Sequence, residues 1–120
     1  MQKILIIDDS LFQRRIIGSY LKKANFEVIE AQDGKEGLEM IITKNPDLIL
    51  LDLLMPGKSG FDVLKELKEA NIPARVIVLT SDVQTTTRDE VLRLGAAAFV
   101  NKPVQEEELI AVIHKAMEPS

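Results

Sequence analysis

Residues 48–57 read LILLDLLMPG, an apolar run that one charged residue, Asp52, interrupts. A continuous apolar run of this kind is typical of a strand that helices cover on both faces, as in a parallel sheet. Similar short runs recur along the chain, and between them apolar residues recur three or four positions apart, as in amphipathic helices. This alternation predicts β-α-β units on a parallel sheet.

The pattern predicts an α/β fold with five strands and five helices, and helices on both faces of the sheet. The predicted strands are residues 4–7, 26–30, 48–51, 75–79 and 97–100. The expected buried stripes of the helices are Phe12, Ile16 and Tyr20; Leu38, Ile41 and Ile42; Phe61, Leu64 and Leu67; Thr87, Val91 and Leu94; and Leu109, Ile113 and Ala116. We expect Ser10 and Asp82 to cap the starts of helices, and Asn25 and Gly95 to take the left-handed position after a helix.

The composition narrows the class of protein. With 120 residues, 46% hydrophobic and 28% charged, the chain fits one globular domain, expected to fill residues 1–120. It has neither an apolar run of membrane-spanning length nor the start of a signal peptide, and it has no cysteine, so we expect a cytoplasmic protein without membrane contact. The net charge of −4 argues against direct binding to nucleic acid, and the single histidine, His114, cannot form a histidine zinc site.

Polar residues follow four of the five predicted strands. In an open parallel sheet, ligands bind beyond the carboxyl ends of the strands, so these positions are the first candidates for a site. They are Asp8 and Asp9 after the first strand, Asp52 after the third, Thr80 and Ser81 after the fourth, and Asn101, Lys102 and Pro103 after the fifth. The second strand is followed by Ala31, which offers no such group.

Each of these residues also has a simpler structural explanation. Asp8 and Asp9 could cap the first helix, Thr80 could satisfy a nearby backbone group, and Lys102 could be an exposed loop residue. An unpaired aspartate at position 52, within an apolar run, would be costly to bury. A shared site explains all five residues together, because the fold brings them to one edge of the sheet.

Three carboxylates at one edge repel one another, and a cation among them relieves that repulsion. Oxygen ligands with open positions suit Mg²⁺, which keeps waters and accepts phosphate oxygens. A lysine and a threonine hydroxyl opposite that ion would complete a pocket for a phosphoryl group. Asp52 could then attack phosphorus and become an acyl phosphate.

The order of these motifs resembles a known family. The residues that carry the resemblance are Asp8-Asp9, Asp52 followed by Met55-Pro56-Gly57 and Gly60, Thr80-Ser81, and Phe99 before Lys102-Pro103. Together they resemble the receiver domain of two-component response regulators, including its chemotaxis member. The resemblance covers essentially the whole chain and implies a flavodoxin-like, doubly wound five-stranded parallel sheet of order 2-1-3-4-5.

The resemblance implies a phosphoryl-accepting role. Asp52 would be the phosphoacceptor, supplied by a sensor histidine kinase or a histidine phosphotransfer protein. Mg²⁺ would be held by Asp8, Asp9, Asp52 and the backbone carbonyl of Leu54. The chain would not be an enzyme beyond its own phosphorylation and dephosphorylation.

The resemblance also implies how the signal leaves the site. Lys102 would pair with the phosphoryl group, and a cis peptide bond between Lys102 and Pro103 would direct the lysine into the pocket. Thr80 and Phe99 would act as the switch. The surface formed by the fourth helix, fifth strand and fifth helix would then control a downstream protein or a fused output domain. The domain would be a monomer or a weak, phosphorylation-linked dimer.

Some positions depart from the usual pattern of the family. Phe99 stands where many relatives have tyrosine, so it would signal through packing alone. Ser59 stands where an acidic residue or asparagine is common, and no chemistry follows from that change. Leu54 and Asp82 flank the path of water to the phosphoryl group, and our hypothesis is that the bulk of Leu54 slows phosphate loss. A basic face on the first helix, of a kind that is usually solvated surface, lies beside the place where a kinase-side partner would dock; it consists of Arg14, Arg15, Lys22 and Lys23.

Three other functions remain open at this point. An aspartyl-phosphate phosphohydrolase would use Mg²⁺ in the same way, but it needs a second aspartate where this chain has Leu54. A flavin or nucleotide module would need a phosphate-binding loop after the first strand, where Asp8 and Asp9 would repel phosphate. A receiver-like scaffold that no longer takes phosphate is disfavoured by the presence of every reactive residue.

Overall fold

The three central strands consist mainly of Ile, Leu and Val, and the five strands form one parallel sheet of order β2-β1-β3-β4-β5. This confirms the predicted fold. The structure is a computed structural model, which describes residues 1–82 and 84–118. The elements are β1 (Lys3–Ile7), α1 (Leu11–Lys23), β2 (Glu27–Ala31), α2 (Gly34–Lys44), β3 (Leu48–Asp52), α3 (Gly60–Glu69), β4 (Val76–Thr80), α4 (Thr85–Arg93), β5 (Ala98–Asn101) and α5 (Glu106–Ala116).

Helices cover both faces of the sheet, so every strand contributes alternate residues to two separate cores. On one face, Leu5 and Ile7 of β1 pack in a cluster that includes residues of α2, α3 and α4. On the other face, Ile4 and Ile6 pack in a cluster that includes residues of α1 and α5. The three central strands are therefore apolar at nearly every position, as the run at residues 48–51 predicted.

The strand register brings the ends of the central strands to the same level. Ile7 at the end of β1 pairs with Leu51, and Asp52 pairs with Leu79 of β4. On the far side of β4, Thr80 pairs with Asn101 of β5. The residues that end these strands, or directly follow them, therefore share one edge of the sheet.

The prediction for the buried stripe of α1 was partly wrong, although Tyr20 packs against the core as predicted. Phe12 is 70% exposed, whereas Ile17, Gly18 and Leu21 face the sheet. A shift of one residue rotates a helix face by about 100°, and the apolar residues of α1 are numerous enough to suggest either face. Only packing against the sheet decides between them.

The stripe of α2 was also partly wrong, because glycines carry much of its contact with the sheet. Gly34, Gly37 and Ile41 are buried, and Ile42 is exposed. A Cβ on Gly37 would lie 2.5 Å from Cδ1 of Ile7, so only glycine lets the helix approach β1 this closely. A prediction based on apolar side chains cannot identify this contact, because glycine has no side chain.

Most of the predicted helix ends are confirmed. Ser10 caps α1, and Asn25 and Gly95 have φ angles of 69° and 103°. The prediction for Asp82 was wrong, because α4 begins at Thr85 after the N-cap residue Gln84. Within residues 1–82 and 84–118, none of the helices combines the length and apolarity that crossing a bilayer would require.

Ser59, to which the sequence attached no chemistry, caps α3. Its hydroxyl accepts a hydrogen bond from the Asp62 N–H, and the Asp62 carboxylate accepts one from the Ser59 N–H, which together form a capping box. The next residue, Gly60, packs against the end of β3, where an added Cβ would lie 2.5 Å from the Asp52 carbonyl oxygen. The start of α3 is therefore held tightly against the strand that ends in Asp52.

Candidate functional site

Three aspartates meet at the carboxyl edge of the sheet, as the sequence predicted. Carboxylate oxygens of Asp8, Asp9 and Asp52 all lie within 4.8 Å of one another. Asp8 and Asp52 are buried, and Asp9 is exposed. The arrangement follows from topology, because β1 and β3 are adjacent parallel strands that end at the same level. We refer to these three residues as the acidic cluster.

Asp8 is held by contacts on both oxygens of its carboxylate. Oδ1 accepts a hydrogen bond of 2.9 Å from the Ser10 N–H, and Oδ2 lies 3.2 Å from the Lys102 ammonium. The N-cap of α1 is Ser10, whose hydroxyl accepts from the Gln13 N–H. The alternative that Asp8 and Asp9 serve only as helix caps is therefore wrong for α1.

Lys102 is the cation that faces the cluster. Its ammonium lies 3.2 Å from Asp8 Oδ2 and 3.3 Å from Asp52 Oδ1, and its side chain is mostly buried. Its backbone N–H donates to the Thr80 carbonyl at 2.8 Å, which ties the loop after β5 to the end of β4. The Lys102-Pro103 bond is cis, as the resemblance implied. Lys102 is thus not a free loop lysine.

The environment of Asp52 disfavours its charged form. Burial raises the pKa of the Asp52 carboxyl above its ordinary value, and the negative charge of Asp8 adds to that rise. The Lys102 ammonium and a hydrogen bond from the Leu54 backbone lower the pKa and so oppose the rise. The net direction is upward, and burial is its largest cause.

The donor set of the cluster fits a small divalent cation. All its donors are carboxylate oxygens, which hard cations prefer, and the exposed Asp9 leaves the cluster open to water on one side. Mg²⁺ binds through few carboxylates and keeps several waters, which matches this combination. A cation here would also favour the ionised form of Asp52 and so oppose the rise in its pKa that burial causes.

The two residues expected to act as a switch border one cavity. Thr80 is buried at the end of β4, and Phe99 is half-buried on β5. Both line a cavity of about 150 Å³ under α4, together with Asp82, Thr87 and Arg88 among others. The Arg88 guanidinium lies 5.0 Å from the centre of the Phe99 ring, which is the distance of a cation–π contact.

The loop after β4 is ordered by hydrogen bonds around Asp82. The Thr80 hydroxyl accepts from the Asp82 N–H at 3.0 Å, as the simpler explanation of Thr80 predicted. The Asp82 carboxylate accepts from the Gln84 N–H at 2.9 Å and from the Thr87 hydroxyl at 2.6 Å. The bonds from Thr87 and Gln84 lower the pKa of Asp82 and so favour its ionised form. Ser81, between them, is exposed.

Sequence reasoning missed the contribution of β2 to this edge. Glu30, one residue before Ala31, pairs with Arg14 and Arg15 of α1. Arg14 in turn donates to the backbone carbonyl of Asp8. A glutamate near a strand end and two arginines on the preceding helix are visible in the sequence, but their pairing requires knowing that β2 lies beside β1.

Comparison with known proteins decides the family. The sequence model of the response regulator receiver domain family matches residues 4–114 of this chain. The chain belongs to the response regulator receiver family. The receiver domain is 34% identical to chemotaxis protein CheY of Bacillus subtilis over 116 residues, covering 96% of this chain and 97% of that protein. It is also 34% identical to protein PilH of Pseudomonas aeruginosa over 119 residues, covering 98% of both chains.

Other relatives are about twice as long as this receiver domain. It is 34% identical over 110 residues to the phosphate regulon transcriptional regulatory protein PhoB of P. aeruginosa, covering 90% of this chain but 48% of that protein. Among solved structures, the receiver domain of the Francisella response regulator 1452 superposes with a TM-score of 0.92 at 32% identity, covering 98% of this chain and 97% of that one. Vibrio cholerae CheY4 superposes with a TM-score of 0.90 at 28% identity, covering 97% and 98%.

Proposed function

We propose that this receiver domain accepts a phosphoryl group on Asp52 with the help of Mg²⁺. The observation that carries the proposal is the contact of the Lys102 ammonium with Asp52 and Asp8, at 3.3 and 3.2 Å, within a cluster whose carboxylate oxygens lie within 4.8 Å of one another. A buried aspartate that needs a cation, beside a lysine that can pair with phosphoryl oxygens, is suited to forming an acyl phosphate.

The reaction is a transfer between two nucleophiles. A carboxylate oxygen of Asp52 attacks phosphorus, the bond from phosphorus to the donor's histidine nitrogen breaks, and the imidazole leaves with the electron pair. Lys102 opposes the rise in the pKa of Asp52, which favours the ionised form that attacks. When bound by Asp8, Asp9, Asp52 and the Leu54 carbonyl, Mg²⁺ supplies positive charge against the phosphoryl oxygens.

Lys102 has a second part in this transfer. Its ammonium contacts both Asp8 and Asp52, so it can keep Asp8 as a partner while it pairs with a phosphoryl oxygen on Asp52. A charge-assisted hydrogen bond of this kind is about twice as strong as one between neutral groups. We therefore assign Lys102 to holding the transferred group rather than to moving a proton.

We propose that the switch passes through Thr80 and Phe99 to α4, β5 and α5. The Thr80 hydroxyl accepts its hydrogen bond from Asp82, so its own hydrogen can be donated to a phosphoryl oxygen. The cavity that Thr80 and Phe99 both line gives the Phe99 ring space into which to move. A new negative charge at Asp52 would then bias the packing of α4, of which Val91 is the one buried residue.

We propose a sensor histidine kinase or a histidine phosphotransfer protein as the phosphoryl donor. The output would be a downstream protein or a fused output domain, since the chain spans nearly all of some relatives and about half of others. Catalysis by the chain would be limited to its own phosphorylation and dephosphorylation. The cytoplasmic location, the single domain over residues 1–120 and the monomer or weak phosphorylation-linked dimer stay predictions from the sequence.

The alternative functions have less support. A phosphohydrolase of the aspartyl-phosphate type would need an acid two residues beyond Asp52, and the structure has there the exposed apolar side chain of Leu54. A flavin or nucleotide module would have to place phosphate against the acidic cluster. A receiver-like scaffold would not need Lys102 directed at Asp52.

Intact mass after incubation with acetyl phosphate tests the proposal. With Mg²⁺ present, the native chain should gain the mass of one phosphoryl group, and it should gain none in EDTA. Asp52→Asn should gain none under either condition, because it lacks the nucleophilic oxygen. Asp89→Asn, which makes the same change at an exposed position on α4, should behave as the native chain does.

Phosphorylation of the Asp52→Asn variant would show that another residue is the phosphoryl acceptor. A native chain that gains no mass would favour the scaffold alternative.

A further inference from the structure

Arg14 of α1 connects the acidic cluster to β2. Its Nη1 donates a hydrogen bond of 2.6 Å to the carbonyl oxygen of Asp8, and its Nε donates one of 2.9 Å to Oε1 of Glu30. Its side chain is 11% exposed. The expectation that Arg14 belongs to a solvated basic face was therefore wrong, because its guanidinium is mostly buried and is hydrogen-bonded to both Asp8 and Glu30.

Glu30 is held in place by a second arginine. Its other oxygen, Oε2, accepts a hydrogen bond of 2.6 Å from Nη1 of Arg15, whose side chain is 65% exposed. Glu30 is thus fixed from both sides, and it directs the planar guanidinium of Arg14 toward β1. Arg15 contacts Glu30 from solvent, whereas Arg14 connects Glu30 with Asp8.

The carbonyl that Arg14 binds belongs to the peptide group joining Asp8 to Asp9. A peptide group is planar, so fixing the direction of this carbonyl fixes the path from the Cα of Asp8 to the Cα of Asp9. The Asp8 N–H is already held by the Ala31 carbonyl at 3.2 Å. The contact from Arg14 therefore fixes the other backbone polar group of Asp8, at the point where the chain presents two successive carboxylates.

We propose that Arg14, oriented by Glu30, is a positioning residue for Mg²⁺ binding. It holds the Asp8-Asp9 peptide so that both carboxylates face the same cation. This inference rests on the proposed function, because it concerns the metal that phosphoryl acceptance would use. Groups that orient metal ligands in this way commonly change metal affinity by about 10- to 100-fold when they are removed.

The charge of Arg14 and its positioning role predict opposite changes in Mg²⁺ affinity when Arg14 is replaced. Arg14 is a cation near a cation site, so removing its charge alone should strengthen Mg²⁺ binding, because like charges repel. Releasing the Asp8-Asp9 peptide should instead weaken binding, because Mg²⁺ requires near-ideal placement of its oxygens. The direction of the change therefore separates the two effects.

Mg²⁺ dissociation constants measured from amide chemical shifts of the ¹⁵N-labelled chain test the proposal. Arg14→Met, which keeps an unbranched apolar stem, should bind Mg²⁺ about tenfold more weakly than the native chain or worse. Arg14→Lys keeps the charge but cannot reach Asp8 and Glu30 together with a planar fork, so it should also bind more weakly. Lys22→Met removes a positive charge from an exposed position on the same helix and should bind Mg²⁺ no more weakly than the native chain.

Dispersed amide spectra without Mg²⁺ establish that each variant is folded, and Arg14→Lys serves if Arg14→Met does not fold. Native-like or tighter binding by both Arg14 variants would overturn the proposal. If Arg14→Met binds Mg²⁺ more weakly and Arg14→Lys does not, the role of the contact between residue 14 and Asp8 is supported. The orienting role assigned to Glu30 is then overturned. A native chain that binds no Mg²⁺ would instead overturn the proposed function, and this inference with it.

Discussion

Neutralising Asp52 should stabilise the domain when no metal is present. In the native chain the Asp52 carboxylate loses hydration on burial and faces Asp8, and burial is the main cause of its raised pKa. The change Asp52→Asn removes the charge and keeps the shape of the side chain. We therefore expect Asp52→Asn to unfold at a higher temperature than the native chain in EDTA at pH 7.

The magnitude follows from the distances in the cluster. With an effective dielectric constant of about 20, two unit charges 4.8 Å apart repel by about 3.5 kcal/mol, which is the least that Asp8 contributes. The attraction of Lys102 at 3.3 Å is about 5 kcal/mol in the same terms. Burial of the carboxylate costs several kcal/mol more, so removing the charge leaves a net gain of about 2 kcal/mol. In a 120-residue domain this raises Tm by roughly 6 to 10 °C.

The gain should depend on pH. The folded chain raises the pKa of Asp52 above its value in the unfolded chain, so the cost of the charge is fully present above the folded pKa. That cost disappears as the pH falls through the raised pKa to the ordinary aspartate pKa, because the native carboxyl then takes up a proton. The Tm advantage of Asp52→Asn should therefore shrink as the pH is lowered from 7 toward 4.

Mg²⁺ should reduce the stability advantage of Asp52→Asn. At about a hundred times its Kd, a ligand of the folded state stabilises it by about 2.7 kcal/mol, and Asp52→Asn should gain less because it has lost a ligand. Thermal unfolding by circular dichroism, with and without Mg²⁺, measures each difference. The control Asp89→Asn should stay within about 0.5 kcal/mol of the native chain. An Asp52→Asn variant less stable than the native chain in EDTA at pH 7 would refute the reasoning.

Three further changes test other parts of the site. Leu54→Asn should speed spontaneous phosphate loss about tenfold, a barrier lowered by about 1.4 kcal/mol, because the exposed Leu54 side chain hinders water; equal rates of loss would reject the hypothesis. Ser59→Ala should lower the free energy of unfolding in urea by about 1 kcal/mol through loss of the α3 cap, and an unchanged urea midpoint would contradict the role of the cap. Gly60→Ala should lower the same quantity by about 1 to 3 kcal/mol and slow phosphorylation by acetyl phosphate, since its Cβ would lie 2.5 Å from the Asp52 carbonyl oxygen; native-like kinetics would show that this contact does not position Asp52.

The central part of the site could be predicted from sequence because it lies at strand ends. Asp8, Asp52 and Lys102 each follow or end a run that marks a buried parallel strand, and parallel strands present these ends at one edge. No knowledge of side-chain packing was needed to bring them together. The chemistry of three carboxylates and a lysine then pointed to a cation and a phosphoryl group.

The contacts around the helices could not be predicted in this way. Whether α1 buries Ile17 or Phe12 depends on the sheet beneath it, and the closeness of α2 depends on Gly37, which has no side chain to count. Asp82 resembled a helix cap in the sequence, but it accepts hydrogen bonds from residues within and just before α4 instead. These outcomes depend on which surfaces meet, and local sequence does not specify that.

The sequence alone therefore determined the order and type of the elements and the residues of the acidic cluster. Short apolar runs mark the strands, and the polar residues that follow those runs mark the cluster. Only the tertiary structure decided that Glu30, on a strand whose end had no predicted role, directs Arg14 onto the carbonyl of Asp8. That contact joins residues of α1 and β2 with the loop that directly follows β1. It exists because β2 pairs with β1 and α1 packs beside both, which is a property of the assembled sheet.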